Sequence, residues 1–178
     1  MHATFVFLFF ISMQLASESD TLFIKHDDFA EESFVLQSAT YNYYQVEDSD
    51  LMEFVIKVEV EKALSRDPEL QSAFNANPNI EATAVIPVSA FKLEEGTRIF
   101  QEFGYDSDRD ENLSILYYFA HNSIEDLEIK VLKLDEPSMK AQVSGRSAIN
   151  SGDWQKPDAS IRLETTFRRD PDLKRSFN

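Results

Sequence analysis

The chain has 178 residues, 43% of them hydrophobic and 12% aromatic, which is typical of one globular domain with a sizeable core. Its net charge of −15 disfavours sequence-independent binding to nucleic acid or to an anionic membrane surface. Cysteine is absent, which excludes disulfide bonds, thiolate catalysis and cysteine-ligated zinc.

The N-terminus carries an apolar run, Ala3–Ile11, that is too short to span a bilayer as a helix. The run resembles the core of a secretory signal peptide, and the small residues Ala16 and Ser17 follow it. We therefore predict a signal peptide over residues 1–17, a single mostly-β domain over residues 18–178, and a secreted or periplasmic protein without an integral membrane span. Two alternatives stay open: the run is a buried strand, or translation begins at Met13.

The first elements predicted are extended. The short apolar run at Leu22–Ile24 predicts a strand, and the aromatic stretch Phe34–Val46 predicts a longer one. Met52–Glu61 alternates between apolar and charged residues, with Val55 as the one exception on its charged face, so it predicts a strand with one face in water.

A short helix is predicted next. Ser65 is a candidate N-cap, Pro68 stands where the first turn tolerates proline, and Leu70, Ala73 and Phe74 have helical spacing.

Ile80–Phe91 predicts a half-buried strand, because its apolar residues recur at every second position. Three of the six residues on its inner face are alanine: Ala82, Ala84 and Ala90. Small inward side chains indicate either close packing or space for a ligand. Pro87 removes one backbone donor and predicts a sheet edge or a bulge.

The second half of the chain predicts four more strands. Leu113–Ala120 is apolar on both faces and is predicted to be central, whereas Leu127–Leu134 shifts phase and predicts a bulge. Lys140–Ile149 and Ala159–Arg168 alternate regularly. Thr97–Phe103 is interpreted as a helical turn. Successive strands with turn-forming linkers predict a mostly β fold, an antiparallel barrel or β-sandwich with one short helix.

The sharpest local pattern that resembles a metal site lies in an acidic loop. Asp106, Asp108 and Asp110 alternate like the opening of a calcium loop. Glu111 replaces the required glycine and Tyr117 the required bidentate glutamate, so we predict a solvated acidic loop rather than a calcium site.

Other catalytic or cofactor motifs are missing from the sequence. His26 and His121 match no zinc spacing, and we expect both at loops or turns. No nucleotide-binding or nucleophile motif occurs, so we predict neither an enzyme nor a cofactor.

Three segments form a pattern together: Tyr44–Lys57 with its Phe-Val-Ile-Lys end, Ala82–Phe91 with its Val-Ser-Ala-Phe end followed by Gly96-Thr97-Arg98, and Val143–Phe167 with Val-Ser-Gly and Ile-Arg-Leu. Together they resemble the YceI-like family of secreted, lipocalin-like barrels. The resemblance covers about residues 44–168, although Arg98-Ile99-Phe100-Gln101 stands where the family has Arg-Asp-x-His. It implies an up-and-down barrel whose apolar interior holds a long isoprenoid or lipid chain.

Two functions are therefore expected from the sequence. The first is a secreted or periplasmic binding protein that encloses an apolar, lipid-like or isoprenoid-like ligand in its barrel. The residues predicted to line that ligand site are Phe54, Ile56, Ala82, Ala84, Ile86 and Ile161. The alternative is an acidic protein-interaction module with a filled core and no small-molecule ligand.

Overall fold

The computed structural model describes residues 20–73, 77–108, 110–149 and 156–175. The described residues form the following elements, in chain order: β1 (Thr21–His26), β2 (Glu32–Gln45), β3 (Leu51–Ser65), α1 (Pro68–Ala73), β4 (Asn79–Pro87), β5 (Arg98–Gln101), β6 (Tyr105–Asp106), β7 (Glu111–Asn112), β8 (Ser114–Tyr118), β9 (Ala120–Asp135), β10 (Ser138–Ser147) and β11 (Ala159–Arg169). The predicted signal peptide lies outside the described residues.

The main sheet is antiparallel and nearly closes into a ring. Its nine strands follow the order β10-β11-β1-β2-β3-β4-β8-β9-β5, and an additional pairing of β9 with β10 brings the two ends together. Sequential strands are neighbours around this ring, except where β5 and the small β6–β7 hairpin intervene between β4 and β8. The predicted fold class, mostly β and barrel-like with one short helix, is confirmed.

Alternating burial identifies the inside of the ring. Along β11 every second side chain is buried: Ala159, Ile161, Leu163, Thr165 and Phe167. Along β10 the same holds for Met139, Ala141, Val143, Gly145 and Ser147. Period-two burial is what one apolar face in a common core requires, so both predicted strands are confirmed.

The outer face of the ring is partly covered by the C-terminal segment. Val55 is fully buried although it lies on the charged face of β3, opposite Asn42 of β2. The Asn42 side-chain amide donates hydrogen bonds to the backbone oxygens of Pro171 and Leu173, at 3.1 and 2.9 Å. This cover explains why one apolar residue interrupts the polar face of an otherwise regular strand.

The short helix exists, but its predicted cap is wrong. Strand β3 continues to Ser65, and α1 begins at Pro68. The Oδ1 atom of Asp67 accepts hydrogen bonds from the backbone N–H groups of Glu69 (2.8 Å) and Leu70 (3.4 Å). Asp67 is therefore the N-cap, because only the residue directly before the first turn can reach those donors.

Strand β5 corrects the interpretation of Thr97–Phe103 as a helical turn. Ile99 is buried and its neighbours Arg98 and Phe100 are exposed, which is strand alternation. Ile99 pairs with Ile129 of β9 in an antiparallel register. Pairing with the long strand β9 overrides the weak helical spacing of this segment.

The other strand predictions agree with the structure in their main features. β8 is central, between β4 and β9. In β9, Lys133 and Val131 pair with the consecutive residues Lys140 and Ala141, so Leu132 is the extra residue of a bulge. The predicted strand Ile80–Phe91 ends earlier than expected, at Pro87. Among the described residues, no helix has the length and hydropathy needed to cross a membrane.

Candidate functional site

The six residues predicted to line a ligand site all belong to the interior of the ring. Five of them are buried in one connected apolar core, and Ile86 packs against that core from its rim. The alanines face large partners across the β3–β4 pair, with Ala82 opposite Ile56 and Ala84 opposite Phe54. The Phe54 ring in turn lies 6.2 Å, centroid to centroid, from the ring of Tyr41.

The interior is filled at this level. Phe54, Ile56 and Ala82 have no accessible surface, so no void large enough for a water molecule borders them. An eight-stranded ring has an interior just wide enough to be filled by side chains or to hold one small ligand. The alanines therefore make room for large neighbouring side chains, as close packing requires. Ligand binding by these six residues stays a prediction.

A buried polar cluster occupies one end of the interior, and Glu32 is its centre. Glu32 Oε2 lies 3.3 Å from His26 Nε2 and accepts a hydrogen bond from the Tyr118 hydroxyl. Glu32 Oε1 accepts hydrogen bonds from Arg66 Nε and from the backbone N–H of Asp67, both at 3.3 Å.

This cluster is closed to solvent, which decides what it can do. The side chains of His26 and Glu32 are fully buried, and that of Arg66 is 7% exposed. Burial alone would raise the pKa of Glu32, but the hydrogen bonds from His26, Tyr118 and Arg66 lower it. The carboxyl is therefore charged at neutral pH. Burial and the neighbouring Glu32 raise the pKa of Tyr118. This cluster links β1, β2 and β8 to the segment that follows β3, and the Nδ1 atom of His26 has no hydrogen-bond partner among the described residues.

Sequence reasoning missed the cluster because its members are far apart in the chain. His26 was expected in a loop, yet it is the buried last residue of β1. Glu32 and Arg66 resemble ordinary surface charges of an acidic chain when only their neighbours are considered. The spacing between them carries no motif, so the sequence offers no local signal that they meet.

An open groove of about 510 Å³ lies on the outside of the ring, between β4, β5 and the β6–β7 hairpin. The described residues that line it are Val85, Phe100, Gln101, Glu102, Phe103, Tyr105, Asp106, Ser107, Asp108 and Leu113. Three of these are large aromatic side chains that stay exposed: Phe100 at 61%, Phe103 at 54% and Tyr105 at 40%. Clustered exposed apolar surface of this kind marks interaction sites.

The groove lies where the wall of the ring is incomplete. β3 pairs with β4 as far as Pro87, whereas β8 pairs with it only over residues 79–82. β5 pairs with β9, and among the described strands it has no other partner. β4 and β5 therefore approach each other without forming a ladder. The edge position predicted from Pro87 is consistent with this arrangement.

Gly104 holds the groove segment, residues 103–105, against the ring. It stands between Phe103 and Tyr105, and a Cβ atom there would lie 2.6 Å from the backbone oxygen of Ile124 and 2.9 Å from that of Ser114. Only glycine permits this close approach of two backbones. The exposed aromatics are thus carried by a segment that is firmly seated on β8 and β9.

Glu125 of β9 also holds the groove segment in place. Its Oε2 atom accepts a hydrogen bond of 3.1 Å from the backbone N–H of Gly104, and the side chain is buried. Burial and the nearby Asp126 raise the pKa of Glu125, and the Gly104 N–H partly offsets this. A raised pKa in the folded state means that the charged form of Glu125 destabilises the protein as pH rises.

The C-terminal tail holds the hairpin from the other side. Arg175 Nη2 donates a hydrogen bond of 2.5 Å to Glu111 of β7, and Nη1 lies 3.7 Å from Glu53 of β3. The Arg175 backbone N–H also donates to the Tyr44 hydroxyl at 3.1 Å. The hairpin that forms one wall of the groove is therefore linked to the main sheet.

The acidic loop forms the tip of this hairpin. Asp106 is half-buried in β6 and its Oδ1 accepts a hydrogen bond of 3.0 Å from the Asp108 backbone N–H. Asp110 is exposed and accepts a hydrogen bond from the Tyr105 hydroxyl. The described residues contain no group of three or more acidic, histidine or cysteine side chains placed to hold a metal ion. The loop instead contributes negative charge to the rim of the groove.

Comparisons with known proteins add no further constraint. No family model matches the chain, and neither a curated protein nor a solved structure is significantly similar to it.

Proposed function

We propose that the protein is an acidic interaction module, which binds a partner protein through the aromatic groove and whose core is filled by its own side chains. The observation that carries the proposal is the cluster of Phe100, Phe103 and Tyr105, exposed together around one concave surface. Aromatic side chains in a groove are the usual anchors of protein recognition.

The charge around the groove indicates the chemistry of the partner. Its described lining contains the carboxylates Glu102, Asp106 and Asp108 and neither lysine nor arginine. The chain as a whole carries a net charge of −15. Acidic rims around apolar centres attract basic partners and accelerate their association, so the expected partner is basic and has apolar residues between its charges.

A binding assay with matched variants tests this proposal. The probe is a short fluorescein-labelled peptide in which lysine and valine alternate, and binding is followed by fluorescence anisotropy. Phe100→Ser combined with Phe103→Ser should weaken binding by about tenfold or more, because the aromatic anchors are lost. The control is Leu64→Ser, which removes a comparably exposed apolar side chain at the end of β3 and should leave binding unchanged.

Two outcomes would contradict the proposal. One is that the peptide does not bind the unmodified protein. The other is that the groove variant binds the peptide as tightly as the control variant does, which would mean that net charge alone attracts the peptide.

A second candidate function keeps the interior of the ring as the binding site. The ring of eight strands formed by β1–β4 and β8–β11 favours it, since rings of this size can enclose one small ligand. Phe54, Ile56, Ala82, Ala84, Ile86 and Ile161 would line that ligand site. Native mass spectrometry of protein from its own host discriminates the two candidates: a co-purified lipid or isoprenoid mass would support the enclosed ligand, and a clean apo mass would count against it.

A further inference from the structure

The C-terminal segment, residues 170–175, lies on the outer face of the ring as a strap. β11 ends at Arg169, and the Leu173 backbone N–H donates a hydrogen bond of 3.0 Å to the backbone oxygen of Asp170, which turns the chain. The Asp170 N–H donates a bond of 2.9 Å to the backbone oxygen of Tyr41 in β2. The strap therefore leaves the last strand, follows β2 and brings its basic end to β3.

Arg175, at the basic end of the strap, lies between two carboxylates that belong to different elements. Its Nη2 atom donates a hydrogen bond of 2.5 Å to Glu111 of β7, and its Nη1 atom lies 3.7 Å from Glu53 of β3. The side chains of Arg175 and Glu53 are each 12% exposed, and that of Glu111 is 26% exposed. Two carboxylates that share one guanidinium away from water would repel each other if the guanidinium were removed.

The two carboxylates belong to parts of the fold that flank the groove on different sides. Glu53 is the cross-strand neighbour of Val85, which lines the groove on the β4 side. Glu111 pairs with Asp106 in the β6–β7 hairpin, and Asp106 lines the groove on the hairpin side. Arg175 therefore connects the two sides of the groove from behind its lining.

The hairpin is attached to the ring at its base. Among the described strands, β6 and β7 pair with each other and with no strand of the main sheet. The Gly104 backbone oxygen accepts hydrogen bonds from the backbone N–H groups of Leu113 and Ser114, at 2.7 and 3.0 Å. With the base seated there, the bond from Arg175 to Glu111 draws the outer part of the hairpin toward the main sheet.

We infer that the strap controls binding at the groove, because Arg175 holds the hairpin wall at the separation from the sheet that the partner requires. This inference rests on the proposed function and names a means of regulating the same site. Arg175 is a positioning residue, since it acts through Glu111 and does not belong to the groove lining. Without its guanidinium, Glu53 and Glu111 repel each other, and the hairpin moves outward and carries Tyr105 with it.

Hydrogen exchange and peptide binding, measured on the same full-length variants, test the inference. Arg175→Met removes the guanidinium and keeps an apolar stem, whereas Arg175→Lys keeps a positive charge between the carboxylates. Arg162→Met is the matched control, because it makes the same change in net charge at an arginine that pairs with the exposed Glu31. Nuclear magnetic resonance follows exchange at the backbone amides of the hairpin and of β10, and anisotropy follows binding of the lysine–valine peptide.

Arg175→Met should speed amide exchange in the hairpin about tenfold and weaken peptide binding about fivefold or more, while β10 exchanges as in the unmodified protein. Arg175→Lys should recover part of both losses, because its charge still separates the two carboxylates. Arg162→Met should change neither exchange in the hairpin nor binding.

Unchanged hairpin exchange in Arg175→Met, or faster exchange without weaker binding, would overturn the inference and leave the proposed function standing. A lack of recovery in Arg175→Lys would overturn it as well. The same holds if exchange rises equally in β10, since Arg175 would then support the whole fold and not the hairpin. If the unmodified protein does not bind the peptide, the proposed function fails and the inference fails with it.

Discussion

Glu32 is the residue on which one end of the ring depends. It accepts hydrogen bonds from a tyrosine hydroxyl, an arginine and a backbone N–H, and it contacts His26 as well. Its own side chain is fully buried. Removing one member of a buried charged pair leaves the other without compensation, and the loss is larger than the net contribution of the pair.

Glu32→Gln should therefore lower the free energy of unfolding by about 3 kcal/mol at pH 7. The pKa of Glu32 is lowered in the folded state, so the stability it contributes is present above the ordinary glutamate pKa and is lost as pH falls through the lower folded value. Urea unfolding, monitored by far-ultraviolet circular dichroism at several pH values, measures both the loss of stability and its pH dependence. The gap between the two proteins should narrow in acid, where wild-type Glu32 becomes protonated.

Glu31→Gln is the matched control for this change. Glu31 is exposed, and its contact with Arg162 at 3.4 Å lies on the surface, so its loss should cost under about 0.5 kcal/mol. Equal effects of the two substitutions, or a gap at Glu32 that does not depend on pH, would show that the cluster is not organised around a charged carboxylate.

The length of a strand decides whether its alternation of apolar and polar residues can be recognised in the sequence. β10 and β11 were predicted because each alternates for long enough that period two is unmistakable. β5 has 4 residues, which is too short for its period to be separated from helical spacing. Its strand state follows from pairing with β9, a contact between distant parts of the chain. The exposure of Phe100 and Phe103 could not be predicted from the sequence either, because it depends on the same long-range pairing.

The seating of the groove segment depends on Gly104. Gly104→Ala should destabilise the protein by about 2 kcal/mol, because the added Cβ collides with backbone atoms of β8 and β9 that have little freedom to move. The same substitution should weaken binding of the lysine–valine peptide, since Phe103 and Tyr105 are displaced together. Urea unfolding and anisotropy measure the two effects on the same protein.

Gly96→Ala separates steric collision from backbone strain. Gly96 has a φ of 87° but open space around its Cβ position, so alanine there should cost only about 1 kcal/mol and leave peptide binding intact. If both substitutions behave alike, Gly104 is not needed for close packing of the groove segment.

The whole molecule combines a nearly closed ring of strands with a net charge of −15. The alternation of β3, β4, β10 and β11 was sufficient to predict a curled antiparallel sheet, because each strand has one face to bury. The same alternation is compatible with a hollow or a filled interior. In the structure, Ala82 and Ala84 face Ile56 and Phe54 across the β3–β4 pair, so the core is closely packed at these four residues. The groove was not predictable, since it arises where β4, β5 and the hairpin fail to complete the wall.

We propose that this groove, and not the interior of the ring, receives the partner. The most direct measurement is a nuclear magnetic resonance titration of the isotope-labelled protein with the lysine–valine peptide. If the peptide binds in the groove, amide shifts should cluster at Val85, at residues 98–108 and at Leu113, and they should weaken as salt is raised. Shifts that instead concentrate on interior residues such as Phe54, Ala82 and Ile161, or that spread evenly over the acidic surface, would contradict it.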